Sequence, residues 1–103
     1  MSTTVIVGFQ AKPDQVPALL TFLGGIQPGM LEAGAQNVAL LQDQDDPTCV
    51  FEVEEWTSAA EHKRFVDTAA AGAFAPFDAL LAAPFQVRSL RTFRRSGTAA
   101  TAA

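Results

Sequence analysis

The chain has 103 residues, is 49% hydrophobic and carries Lys+Arg 7 against Asp+Glu 11, a net charge of −4. That length suits one domain with a core small enough to gain from a partner subunit, and the apolar surplus points to surface buried between subunits. The negative balance excludes nucleic acid, which needs a basic footprint, and no apolar run approaches the ~20 residues of a membrane span.

The N-terminus lacks a basic stretch followed by an apolar core, so no secretory leader is expected. Cys49 is the single cysteine. It forms no intramolecular disulfide and fits a reducing compartment, which makes a cytoplasmic protein the expectation. Arg88, Arg91, Arg94 and Arg95 cluster near the C-terminus and read as a solvated strand end.

The first strand is predicted over Thr4–Ala11, where Val5, Val7 and Phe9 alternate with Thr4, Ile6, Gly8 and Gln10. Neither face is strongly polar, so both are expected to be covered. Gly8 marks a bulge or a close approach. Pro13-Asp14-Gln15-Val16-Pro17 opens a helix, with Asp14 as the expected cap and Pro17 at a position whose N–H is not needed. Val16, Leu19, Leu20, Leu23 and Ile26 follow at helical spacing. Gly24-Gly25 weakens this helix and Pro28-Gly29 is expected to kink or end it, with room for one further turn through Met30, Leu31 and Ala33 before Gly34.

The second strand is predicted over Asn37–Asp43 and the third over Thr48–Trp56, joined through the acidic turn Gln44-Asp45-Asp46-Pro47 as an antiparallel hairpin. Ser58 then caps a second helix, with Glu61 at the capping-box spacing. That helix carries Phe65 and Val66 inward, loosens at 69–72, and is followed by a segment with Phe74, Phe77, Leu80 and Leu81 that stops at Pro84. Phe85–Phe93 is the predicted fourth strand. Residues 1–95 are expected to form the domain and 96–103 a disordered Ser/Thr/Ala tail. The order β-α-β-β-α-β is the α+β ferredoxin-like arrangement, a four-stranded antiparallel sheet with helices on one face. Its other face, carrying Phe51 and Val53, is expected to be covered by a second copy in a homodimer.

The stretch from Phe51 to Phe65 concentrates the chemistry, with the single Trp and the single His. Glu52, Glu54 and Trp56 share one strand face, because alternate residues point the same way, and Glu55 lies on the other with Val53 and Phe51. Trp56 is either a stacking surface for a planar aromatic ligand or a core side chain sealing a sheet edge. His62 is either a general base or oxyanion donor or a half-exposed helix residue, and no second His or nearby Cys makes it a metal ligand. Glu52, if buried, would have a raised pKa and could act as a base; the competing reading pairs Glu52 or Glu54 with Arg88 or Arg91. Phe74 and Phe77 are cavity walls or ordinary core. Cys49 reads as a small buried hydrophobe.

Three segments resemble the antibiotic biosynthesis monooxygenase family of dimeric α+β barrels. They are Phe9-x-Ala11-Lys12-Pro13, the Leu40–Pro47 hairpin, and Glu54-x-Trp56-x-Ser58-x-x-x-His62. The likeness covers Thr4 to about Phe93. It implies a cofactor-independent oxygenase that converts a phenolic or hydroquinone-type aromatic substrate to a quinone with O2, needing no flavin or metal. Trp56, His62 and Glu52 would be its catalytic residues, and Phe9, Phe65, Phe74 and Phe77 would contact substrate. The chain departs from the family where many members carry a His nine residues after the Trp; Phe65 stands there. It has no Tyr, and Asn37, its one Asn, is outside the first strand, which places haem degradation third. The alternative is a non-catalytic small-molecule-binding dimer, or an isomerase or cyclase, on the same scaffold.

Overall fold

The computed structural model describes residues 2–69 and 71–97, so most of the expected tail lies outside the described residues. The elements are β1 (Thr3–Gln10), α1 (Val16–Ala33), β2 (Ala35–Gln42), β3 (Cys49–Trp56), α2 (Ala59–Thr68), α3 (Phe77–Leu80) and β4 (Gln86–Leu90). The sheet is four-stranded, in the order β2-β3-β1-β4, and every neighbouring pair is antiparallel. This is the ferredoxin-like α+β fold that the sequence predicts.

Register sorts the side chains. Val5 stands opposite Glu54 and Ser89, Val7 opposite Glu52 and Val87, and Phe9 opposite Val50. Directly opposed residues share a face, so these side chains, with Val38, Leu40 and Trp56, form the layer under the helices. Leu19, Leu23 and Met30 of α1 and Phe77 and Leu80 of α3 close the core over it. The opposite sheet face carries Ile6, Phe51, Val53, Leu41 and Leu90; Leu41 is 52%, Leu90 42% and Phe51 39% exposed.

Several boundaries differ from the sequence reading for identifiable reasons. Asp14 does not cap α1: Gln15 holds the N-cap position without a side-chain bond, and Pro17 falls in the first turn as expected. Pro28 does not end the helix, because Met30 beyond it is buried in the same core as Leu19 and Leu23. Burying that side chain outweighs the single hydrogen bond the proline removes. The helix stops at Gly34, whose φ of 123° only glycine adopts without strain. Gly8 is not a bulge. It pairs regularly with Phe51, whose ring lies 3.5 Å from where a Cβ would stand. β4 ends at Leu90 rather than Phe93, since Leu90 already pairs with Thr4 and β1 begins at Thr3. Cys49 is half-buried rather than fully buried; its thiol donates to Gln10 and Asp46, and the bond to Asp46 pushes its pKa up, against thiolate chemistry.

Candidate active site

Between the helix-side face of the sheet and the helices lies a cavity of about 250 Å³. The strand spacing lays out the residues of this sheet face in order. Phe9 and Val50 mark one end, Val7 and Glu52 the middle, and Val5 and Glu54 the next rung, with Trp56 beyond. Each step is two residues, roughly 7 Å along a strand.

The far end is aromatic. Phe77 sits 5.3 Å from Phe9, 5.2 Å from Phe85 and 5.1 Å from Phe22, centroid to centroid, and is stacked on Phe74 at 6.1 Å. Leu23, Ile26 and Met30 of α1 form the roof. Val66, Phe85 and Val87 line the cavity and are also substantially exposed, so they form an apolar mouth between α2 and β4.

The near end is polar and is built by the turn from β3 into α2. Ser58 accepts a hydrogen bond from the Glu61 backbone N–H at 3.2 Å, starting α2 directly after the strand. His62 and Phe65, one turn apart, then face back over β3. Glu54 Oε1 accepts the Trp56 indole N–H at 2.8 Å and lies 3.8 Å from His62 Nε2. The imidazole meets the indole edge-on at 5.4 Å, and Phe65 lies 5.6 Å from the indole on centroids.

Glu52 stands between the two ends. It is 5% exposed, and its Oε2 is buried with no hydrogen-bond partner among the described residues. Burial above all, then the hydrogen bond and the charge of Glu54, push its pKa up from the usual carboxylate range to about 8. The ion pairs proposed from sequence do not form. Arg88 stands opposite Ile6 on the other sheet face, and the partners of Glu54 are Trp56 and His62. Among the described residues no cluster of three or more His, Cys, Asp or Glu is placed to hold a metal ion.

A buried acid held neutral has a consequence for stability. The folded pKa of Glu52 lies above its ordinary 4.5, so its contribution is full below that pH, declines as pH rises toward about 8, and is lost above. The slope approaches ~1.4 kcal/mol per pH unit in that window. Urea midpoints at pH 5, 7 and 9 are therefore expected to fall in the wild type and to be flatter in Glu52→Gln. Equal pH dependence in the two proteins would exclude a buried, neutral Glu52.

Of the residues singled out from sequence, Glu52, His62, Phe9, Phe65, Phe74 and Phe77 all line this one cavity. Trp56 does not. It is 0% exposed, lies behind Glu54 and His62, and has no surface on which a ligand could stack. Glu54, Phe85 and Val87 were not singled out as site residues. The shared parity of Glu52 and Glu54 was the available signal for the first; the other two depend on where the edge strand docks.

The family model described as Antibiotic biosynthesis monooxygenase matches residues 2–76. The fold is similar to that of PA3566 from Pseudomonas aeruginosa, at 26% identity over 90% of this chain and 95% of that one, with a TM-score of 0.73. It is also similar to Rv0793 from Mycobacterium tuberculosis, at 22% identity over 94% and 100%, TM-score 0.79. A structure described as an antibiotic biosynthesis monooxygenase superposes with a TM-score of 0.78 at 18% identity, over 89% and 99%. No curated protein sequence matches the chain at a significant level.

Proposed function

The chain belongs to the antibiotic biosynthesis monooxygenase family, and from that premise we propose that it oxidises a small phenolic or hydroquinone-type aromatic to a quinone with O2, without a bound cofactor. The observation that carries this reading is the unpartnered Oε2 of buried Glu52 inside a largely apolar cavity walled by Phe9, Phe65, Phe74 and Phe77. An aromatic ring fits between Phe9, Phe65, Phe74 and Phe77, with its hydroxyl toward Glu52. At about 250 Å³ the space falls below the ~300–1,000 Å³ usual for drug-sized ligands, which favours substrates of one or two rings.

The carboxylate of Glu52 removes the phenolic proton, giving an electron-rich anion that passes one electron to O2. The two radicals couple at ring carbon. Loss of the proton on that carbon then cleaves the O–O bond, so one oxygen atom stays as the new carbonyl and the other leaves as water. The protein orients the ring, takes the proton and steadies the anion. His62, 16% exposed at its side chain, is placed to exchange protons between the carboxyl pair and solvent. We assign the open sheet face, with Leu41, Phe51 and Leu90, to a second copy of the chain.

The test is oxygen uptake by metal-stripped protein on a panel of hydroquinones and naphthohydroquinones, measured against autoxidation, with light scattering on the same sample. Uptake above the baseline in chelator, from a particle of twice the chain mass, is the expected outcome. A strict requirement for metal or flavin would sink the cofactor-free reading, and a monomer would remove the second copy.

A further inference from the structure

Glu52 and Glu54 are alternate residues on one strand face, yet their surroundings differ. Glu54 Oε1 meets the Trp56 N–H at 2.8 Å and His62 Nε2 at 3.8 Å. Glu52 Oε2 meets no donor among the described residues. An indole N–H can only donate, so Oε1 of Glu54 must accept, and that bond favours the anion. Burial, together with the hydrogen bond and charge of the neighbouring Glu54, favours the protonated form of Glu52.

Among the described residues nothing else that titrates faces Glu52. β1 presents Val7, β2 Leu40 and β4 Val87 at its level, α1 presents Leu23, Ile26 and Met30, and His62 of α2 faces Glu54. Asp78 of α3 lies in a separate surface depression, and Arg88 is on the other side of the sheet.

We infer that Glu54 is a positioning residue: anchored by Trp56 and faced by His62, it carries the negative charge of the pair and leaves the shared proton on Glu52, next to the substrate. This builds on the cavity being the reaction site. It gives buried Trp56 a role in the chemistry that needs no contact with substrate. Indole fixes Glu54, Glu54 sets the proton affinity of Glu52, and Glu52 meets the phenol.

The assignment is tested on ligand-free protein, by carbon-13 NMR titration of the glutamate carboxyls in wild type, Glu54→Gln and Trp56→Phe. In the wild type the Glu52 resonance is expected to titrate well above the exposed glutamates. In Glu54→Gln its midpoint drops by about one unit or more as the neighbouring charge disappears, yet stays above the ordinary range because burial persists. A wild-type Glu52 that titrates with the surface glutamates, or a midpoint unmoved in Glu54→Gln, overturns the inference.

Trp56→Phe retains both carboxyls and an aromatic ring that fills most of the space while removing the donor, so it decides the matter if Glu54→Gln does not fold. The proton is then expected to divide between the two groups, and both resonances move across the same range. A wild-type Glu52 curve in Trp56→Phe overturns the anchoring by indole. None of these readings needs turnover, so failure here is separable from failure to find oxygenase activity.

Discussion

Glu52→Gln is expected to lower the rate of oxygen uptake by ~10²–10⁴-fold, the range lost with a positioned general base. The amide has the shape of the carboxyl but accepts no proton, and the phenylalanine walls that hold the ring are untouched. The loss should therefore fall on kcat, with KM changed little. The pH profile separates this from a packing effect. A wild-type base whose pKa is pushed up to about 8 is mostly protonated at pH 7, so kcat/KM rises with pH and levels off above that value. Autoxidation also rises with pH and has to be subtracted at each point. In Glu52→Gln the enzymatic rise disappears. A variant that keeps the wild-type rate and profile would take the base away from Glu52 and leave Glu54 and His62 as the titratable side chains on the cavity wall.

The parts of this site legible in the sequence are those fixed by local geometry. Alternation along β3 places Glu52, Glu54 and Trp56 on one face whatever the strand packs against. The Ser58 cap fixes where α2 starts and hence the turn on which His62 and Phe65 sit. What the sequence did not reveal depends on two elements meeting. From sequence Trp56 stands open between a ligand surface and a core side chain, because nothing local shows that α2 folds back over it; the core reading holds once the helix docks and Phe65 and His62 cover the indole. Glu54 read as a candidate partner for Arg88 because the sign of the charges matched. The register of β4 turns Arg88 to the other side of the sheet, which parity within one strand cannot disclose. The end of β4 likewise follows from where β1 begins, not from the apolar residues that continue to Phe93. Pro28 shows the opposite failure, a strong local breaker overridden by burial of Met30 beyond it.

Trp56→Ala is expected to remove most of the fold's stability. The indole is the largest fully buried side chain, and truncating a buried Trp costs about 3–5 kcal/mol. Glu54 would also lose its donor while itself only 2% exposed, a further ~1–3 kcal/mol, though the two losses overlap. Domains of this kind have ~5–15 kcal/mol in all. At ~4–8 °C per kcal/mol for a chain near this size, the melting temperature by circular dichroism should fall by tens of degrees, or the protein should fail to accumulate. A drop of only a few degrees would contradict the placement of the indole in the core. Lost activity in Trp56→Ala is consequently no measure of substrate stacking, since the fold and the cavity are lost with it. Trp56→Phe is the informative change. It fills most of the space and deletes the N–H, so activity lost there in a protein that still melts cooperatively reports on the hold over Glu54.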